Sequence, residues 1–249
     1  MNLRRTSWYA SRLIPGADFR ETLRFGGNRK GTTVRYYPLF LDISRRLCVV
    51  VGGGNVAERK VERLLACGAC VEVVGKRLTP TLAALAGEGK IIHHDADYEE
   101  ALIRGAFLVI GATDSDTVNG RIAMDARALG IPVNIVDEPA RCDFILPSIV
   151  ERGDLAIAVS TGGKSPALAK KLRTELEAAY GQEYAILLQI MGELREKIIA
   201  GRRPSAENRN RFEAVVSSRI LDHIRAGRWK KVKSLIRELT GIEMEVEPR

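Results

Sequence analysis

The 249-residue chain is predicted to be an α/β protein, in which a doubly wound parallel sheet domain precedes a small strand-containing segment and a helical carboxyl-terminal region. Three observations predict this class. Short β-branched apolar runs alternate with helical periodicity up to about Pro147, as in a parallel sheet covered by helices. A glycine-rich loop joins the first run to the first helical pattern. From about residue 181 onward the apolar residues recur at helical spacing.

The first elements have the order and size of a βαβ unit. Leu47–Val51 is an apolar, β-branched run typical of a buried strand. Apolar residues at helical spacing follow the glycine loop between Ala57 and Leu65, and Gly68 is expected to end that helix. Val71–Val74 is the next strand. All of this fits within about thirty residues, the length of such a unit.

The alternation continues along the sequence. In chain order we expect a short helix at Leu82–Leu85, a strand at Ile91–Ile92, a short helix at Glu99–Ile103, a strand at Phe107–Ile110, a helix at Asn119–Leu129 and a strand at Val133–Val136. Repeated β/α alternation predicts a Rossmann-type domain over residues 36–147.

Residues 148–180 are expected to form a separate small segment. Leu155–Ser160 is predicted to be a strand, and Ser165 is a good N-cap with Pro166 at the first helical position. The apolar stripes predict helices at Leu168–Ala179, Leu187–Ile198, Phe212–Ile224 and Lys231–Leu239. The last three would make residues 181–249 a helical domain.

Charge is concentrated at the amino terminus. Residues 1–35 hold eight basic and two acidic side chains, which accounts for most of the net charge of +8, so the rest of the chain does not favour a nucleic-acid-binding protein. We expect this basic extension to be disordered; an over-long start of translation and a transit peptide are alternatives. No apolar run approaches the roughly 20 residues that span a bilayer. Four cysteines fit a reducing cytoplasm better than a disulfide scaffold.

The loop after the first strand matches a dinucleotide-binding fingerprint. Gly52 would permit a tight turn, Gly54 would let the backbone approach a pyrophosphate, and the small Ala57 would let helix and strand pack closely. The amino end of the following helix offers free N–H groups to phosphate. In this strand–loop–helix–strand setting the fingerprint predicts dinucleotide binding.

The second strand lacks the usual acidic residue. A carboxylate that binds the adenosine ribose normally follows this strand, but here Val74 is followed by Gly75, Lys76 and Arg77. Because basic side chains can hold a 2′-phosphate, these residues taken alone favour NADP over NAD.

Polar residues follow two other predicted strands. Thr113, Asp114 and Asp116 come after one strand, and Asp137 comes directly after another. Open α/β sheets bind ligands at the carboxyl ends of their strands, so these side chains are candidate site residues. The alternatives are N-capping and loop solvation for Asp114 and Asp116, and a solvated turn for Asp137.

These motifs together resemble the dehydrogenase/chelatase module of siroheme synthase, the precorrin-2 dehydrogenase family. The stretches that carry the resemblance are Tyr37–Leu41, Val50–Lys60, Ala112–Asp114 with Thr117–Asn119, Asn134–Asp137, Phe144–Ser148 and Ala158–Pro166. They span most of residues 36–240 in a specific order and spacing.

The resemblance implies an activity: NAD-dependent oxidation of precorrin-2 to sirohydrochlorin, accompanied in some members by insertion of ferrous iron. It also implies a homodimer and, against the basic pair at Lys76, NAD as the cofactor. A single-activity chelatase and a nucleotide-sensing regulatory module are the alternatives. Since 249 residues leave no room for the methyltransferase domain of the fused enzyme, we expect a separate enzyme to methylate the precursor.

The resemblance also implies roles for individual residues. Asp137 would be the catalytic general base. The cofactor-binding residues would be Gly52, Gly54, Asn55, Val56, Lys76, Arg77 and Thr113. The substrate-binding residues would be Asp114, Ser160, Thr161, Gly162, Lys164 and Ser165. No resident metal site is expected.

Overall fold

The computed structural model describes residues 35–201 and 205–246. The predicted basic extension, residues 1–35, lies outside the described residues except for Arg35. All the elements below belong to a unit that begins at Leu39. Within the described part of the chain, no helix is both long and apolar enough to cross a membrane.

A five-stranded parallel sheet lies at the centre of the first described range. Its strands are β1 (Leu47–Val51), β2 (Cys70–Val74), β3 (Ile92–His94), β4 (Leu108–Gly111) and β5 (Val133–Ile135). Their spatial order is β3-β2-β1-β4-β5, and every pair is parallel. The predicted Rossmann-type sheet is therefore confirmed.

Helices cover both faces of this sheet because the side chains of each strand alternate between two cores. Cys48 and Val50 of β1 pack with α1 (Asn55–Ala66) and α2 (Pro80–Gly87). Val49 and Val51 pack on the opposite face with α3 (Asp116–Ala128). The predicted helix near Glu99 is a short 3-10 helix, Glu100–Ile103, on the same face as α3.

The order of the strands fixes where a ligand can bind. The chain runs outward from β1 through β2 to β3, and then returns to place β4 on the other side of β1. Val51 at the end of β1 is in register with Gly111 at the end of β4. A crevice opens at the carboxyl ends of strands where the direction of winding reverses, so the loops after β1 and β4 border it.

An antiparallel hairpin follows the sheet. It consists of β6 (Ser148–Arg152) and β7 (Leu155–Val159), and α4 (Pro166–Ala179) comes next. The sequence analysis found β7 and missed β6. A signal was present, since Gly153 separates two strand-like runs and has a φ of +57°, the conformation that glycine favours in tight hairpin turns.

The carboxyl-terminal region is helical, as predicted. It contains α5 (Glu183–Ala200), α6 (Ser205–Val216), α7 (Ile220–Arg225) and α8 (Trp229–Thr240), which share one apolar core. The single helix predicted over Phe212–Ile224 is wrong, because the chain breaks between α6 and α7. There Ser218 donates its hydroxyl to the Val215 carbonyl at 2.7 Å and accepts the Ile220 N–H at 3.2 Å. Such local bonds compete with the helical ladder.

Two contacts attach the hairpin to its neighbours. Arg63 of α1 forms a bidentate ion pair with Glu151 of β6, and this hydrogen bonding lowers the pKa of the Glu151 carboxyl. Arg152 donates to the Glu177 carbonyl of α4 at 3.0 Å. The hairpin is thus joined to α1, the helix that follows the glycine loop, as well as to α4.

Candidate functional site

The glycine loop after β1 is crowded by its neighbours. Gly52 has a φ of +123°, and a Cβ there would lie 2.3 Å from the carbonyl oxygen of Ala112. A Cβ at Gly53 would lie 2.0 Å from the carbonyl oxygen of Arg77. Both distances are far below van der Waals contact, so these positions need glycine. Gly53, which the fingerprint leaves unspecified, is as constrained as Gly52.

Gly54 differs because it faces open space. A Cβ there would have no atom within 4 Å. Gly54 is the N-cap of α1 and provides no side-chain cap, and the first helical bond runs from the Glu58 N–H to the Gly54 carbonyl at 3.0 Å. The N–H groups of Asn55 and Val56 precede that bond, at the positive end of the helix dipole. An open, uncapped helix start fits the pyrophosphate of a dinucleotide.

A carboxylate does lie near the end of β2, although the sequence analysis found none. Asp97, from the loop after β3, places its Oδ2 2.6 Å from the Nζ of Lys76. Both side chains are exposed, at 62% for Lys76 and 82% for Asp97. Arg77 is exposed and makes no ion pair with any described residue. Asp97 was missed because it is 21 residues from Lys76 in the chain.

The loop after β4 is held by α3. Thr113 donates its hydroxyl to Oδ1 of the buried Asn119 at 2.8 Å, and Asn119 returns a bond to the Thr113 carbonyl at 3.0 Å. Ser115 is the N-cap of α3, so the capping alternative for Asp114 and Asp116 is wrong. Asp114 is exposed, whereas Asp116 pairs with Arg141 at 2.8 Å.

Asp137 lies just beyond β5 with an unusual backbone. Its φ is +61°, a left-handed conformation that aspartate and asparagine tolerate better than most residues but that still costs energy. The surrounding turn is anchored: the Sγ of Cys142 accepts the Ile135 N–H at 3.2 Å, and Arg141 pairs with Glu138 at 2.7 Å. This support holds an exposed carboxylate in a strained position, a feature common at functional sites.

Asp137 borders a cleft of about 290 Å³. The opposite side is formed by the end of β7 and the start of α4. The residues that line the cleft are Lys60, Asn134, Ile135, Val136, Asp137, Glu138, Pro139, Cys142, Ile145, Leu146, Pro147, Ser148, Val159, Ser160, Thr161, Gly163, Pro166 and Ala169. The cleft therefore lies between the Rossmann-type sheet and the hairpin with α4.

The predicted substrate residues divide into two groups. Ser160 and Thr161 line the cleft together with Asp137, whereas Asp114, Gly162, Lys164 and Ser165 do not. Ser165 is the N-cap of α4, as predicted, and accepts the Leu168 N–H at 3.2 Å. Thr161 donates its hydroxyl to the Ser165 carbonyl at 3.0 Å, so the loop is closed on itself.

Lys60 also lines the cleft, although no sequence motif singled it out as a site residue. It is half-buried, and burial followed by the charge of Arg59 lowers its pKa, while Asp137 acts in the opposite direction. A signal existed: Lys60 is one helical turn after Val56, so both lie on the same side of α1.

The class of protein follows from this geometry and from two family models. A family described as "Putative NAD(P)-binding" matches residues 39–148, the range that contains the glycine loop and all five parallel strands. A second family, described as "Sirohaem biosynthesis protein central", matches residues 152–179. The chain is a protein with a Rossmann-type domain for a nicotinamide dinucleotide.

The curated relatives with which the chain aligns are siroheme synthases. The chain is 42% identical over 188 residues to siroheme synthase of Methylobacillus flagellatus, which covers 74% of this chain and 40% of the relative. It is 41% identical over 211 residues to siroheme synthase of Nitrosospira multiformis, which covers 83% of this chain and 45% of the relative. Over most of its length the chain is similar to siroheme synthases, and it spans less than half the length of these curated relatives.

One solved structure shares the fold over most of the chain. The protein described as "SirC, precorrin-2 dehydrogenase" superposes with a TM-score of 0.68, covering 83% of this chain and 100% of that one, at 23% sequence identity. At this identity the likeness supports the fold, and it includes elements beyond the Rossmann-type sheet.

Two alanine variants should separate the structural and the ligand-facing glycines. Gly53→Ala forces a Cβ against the Arg77 carbonyl, so we expect the melting temperature to fall by several degrees and dinucleotide binding to weaken because the loop is displaced. Gly54→Ala meets open space, so we expect a folded protein that binds the dinucleotide at least about tenfold more weakly.

The measurements are thermal unfolding and calorimetric titration with NAD. Unchanged dinucleotide affinity in a folded Gly54→Ala variant would show that this open position does not face the pyrophosphate.

Proposed function

We propose that the chain is an NAD-dependent precorrin-2 dehydrogenase that produces sirohydrochlorin for siroheme synthesis. The observation that carries the proposal is the position of Asp137, whose backbone is strained and whose carboxylate lines the cleft. The helix that follows the glycine loop, α1, lines the same cleft through Lys60. The names of the related siroheme synthases and of the structural neighbour support the substrate class.

The oxidation removes a hydride and a proton from the reduced macrocycle. The bound dinucleotide supplies the hydride acceptor. Asp137 accepts the proton on a carboxylate oxygen, a task for which its position at the end of β5 leaves it accessible. The anchored turn between Ile135 and Cys142 keeps this oxygen at a fixed point on the wall of the cleft.

The dinucleotide is held by the loops at the switch point. Gly52 permits the tight turn and Gly54 lets the backbone approach the pyrophosphate. The N–H groups of Asn55 and Val56 would donate hydrogen bonds to the pyrophosphate. Thr113, fixed by Asn119, borders the same crevice from the end of β4. Lys76 and Arg77 lie on the adenosine side.

Asp97 supports NAD as the cofactor. Its ion pair offsets the charge of Lys76, so that a 2′-phosphate would meet a carboxylate as well as an ammonium group. This pairing weakens the preference for NADP that the basic pair suggests when the sequence is considered alone. Arg77 remains available for the adenosine phosphate.

The substrate is recognised by polar groups on the hairpin side. Ser160 and Thr161 line the cleft, and the exposed Lys164 with Gly162 and Ser165 forms the outer part of the same loop. A basic, glycine-rich loop before a helix suits the peripheral carboxylates of precorrin-2. Asp114 belongs to the opposite rim, after β4.

The proposal extends to the assembly. We divide the chain into an extension (1–35), an NAD-binding domain (36–147), a dimerisation and substrate-side segment (148–180) and a helical domain (181–249).

Dimerisation is supported by α4, which buries only Ala169 and leaves Leu168 46% exposed. A cytoplasmic location is supported by the four cysteines, all of which are free thiols.

Asp137→Asn tests the mechanism. Asparagine tolerates the left-handed backbone but cannot accept the proton, so turnover of precorrin-2 should fall about 100-fold or more while NAD affinity is unchanged. Formation of sirohydrochlorin is followed by absorption, and NAD binding by calorimetry. Asp154→Asn, in the exposed turn of the hairpin, is the control and should retain full activity.

The same preparations test iron insertion. Ferrous iron added to sirohydrochlorin without NAD reports chelation alone, and loss of this reaction in Asp137→Asn would assign both proton transfers to one carboxylate. Full turnover by Asp137→Asn would remove it from the mechanism. An inactive wild-type protein would refute the proposed function.

Asp97→Asn tests the choice of cofactor. Removing this charge frees Lys76 to pair with the 2′-phosphate. NADP affinity should therefore rise by roughly fivefold, which corresponds to the free energy of an exposed ion pair, while NAD affinity changes less than about twofold. The gain should shrink at high salt. Asp95→Asn, on the same exposed loop, is the matched control, and an equal gain there would rule out a specific effect of Asp97.

A further inference from the structure

Lys60 is an unusual cation among the described residues. It is half-buried on α1 and lines the cleft, yet it makes no hydrogen bond or ion pair with any residue that the structure describes. Removing an ammonium group from water is unfavourable unless a partner compensates, so such lysines are normally paired. The missing partner suggests that Lys60 binds something that enters the cleft.

The charges around the cleft indicate what that partner is. Within the described ranges, Lys60 is the only basic side chain that lines it, and Asp137 and Glu138 are the acidic ones. Glu138 is already paired with Arg141 at 2.7 Å. Asp137 is close enough to raise the pKa of Lys60, but the two form no ion pair. The cleft therefore offers one unsatisfied cation to an anionic group.

We propose that Lys60 is a substrate-binding residue whose ammonium group pairs with a peripheral carboxylate of the tetrapyrrole. The inference rests on the proposed function, because precorrin-2 is a polycarboxylate. Lys60 fits this role better than Lys164, which is exposed and does not line the cleft.

Lys60 lies on α1, the same helix whose start is the predicted pyrophosphate site. Val56, at the start of α1, belongs to the predicted cofactor loop, and Lys60 follows one turn later on the same side of the helix. A substrate carboxylate that pairs with Lys60 would therefore be bound by α1, the helix whose amino end is the proposed pyrophosphate site. One rigid element would then fix the substrate relative to the nicotinamide dinucleotide, which favours a reactive orientation.

The pKa of Lys60 is consistent with an ammonium group that is partly removed from water. Burial lowers it from the ordinary lysine value of 10.5, with Arg59 as the next cause and Asp137 opposing both. A bound carboxylate would favour the charged form and move the pKa back upward.

The test compares Lys60→Met with Lys60→Arg. Methionine keeps the length of the stem without the charge, and arginine keeps the charge. With NAD saturating, KM for precorrin-2 should rise about 10- to 100-fold in Lys60→Met, while kcat falls less than about threefold. The dissociation constant of sirohydrochlorin, measured by absorption titration without NAD, should rise by a similar factor. Lys60→Arg should restore most of the affinity.

Arg59→Met is the matched control, because it removes the same charge from the neighbouring exposed position. It should leave KM and product affinity within about twofold of wild type, since exposed charges act weakly at a distance in salt. NAD affinity and melting temperature should be unchanged in all three variants, which excludes a folding defect as the cause.

Two outcomes would overturn the inference while leaving the proposed function intact. Lys60→Met with wild-type KM and product affinity would show that no substrate carboxylate binds there. A loss of kcat with unchanged KM and product affinity would mean that Lys60 acts through Asp137. A wild-type protein that neither binds sirohydrochlorin nor oxidises precorrin-2 would instead refute the proposed function, and this role with it.

Discussion

The structure depends on a point where three backbone segments meet too closely for side chains. At the end of β1, Gly52 lies against the carbonyl of Ala112 and Gly53 against that of Arg77, so the loops after β1, β2 and β4 are in direct backbone contact. Close packing on both sides holds the loop, and only Gly54 is left facing open space. This contact fixes the amino end of α1, where the candidate pyrophosphate site lies, and the direction in which the helix runs towards the cleft.

The other wall of the site is built differently. Asp137 is held by hydrogen bonds and ion pairs that span the turn from Ile135 to Cys142, and Arg141 joins this turn to Asp116 at the start of α3. The strained backbone at Asp137 is compatible with these restraints because the turn is anchored at both ends. The ion pair between Arg63 and Glu151 then attaches the hairpin to α1. The hairpin side of the cleft is thus joined to α1, the helix that follows the glycine loop.

Pairing of charges distinguishes structural from ligand-facing groups at this site. Arg141 has two carboxylate partners, and Lys76 is matched by Asp97. Lys60 has no such partner among the described residues, although it is the less exposed of the two lysines. An exposed lysine is satisfied by water, whereas a half-buried one needs a partner. This contrast is the reason why we propose Lys60 as the partner of an anionic group of the substrate.

The sequence by itself determined the parallel sheet, the glycine loop and most of the strands and helices in their order, because apolar periodicity and turn-forming residues are local signals. The role of Asp137 stays a prediction. The sequence did not reveal β6, whose pattern is weak, or the break at Ser218, where side-chain bonds interrupt an apolar stripe. Only the tertiary structure decided the ion pair of Asp97 with Lys76 and the place of Lys60 beside Asp137, which is 77 positions away in the printed sequence. Such contacts depend on how distant segments pack, and no local pattern records which segments will meet.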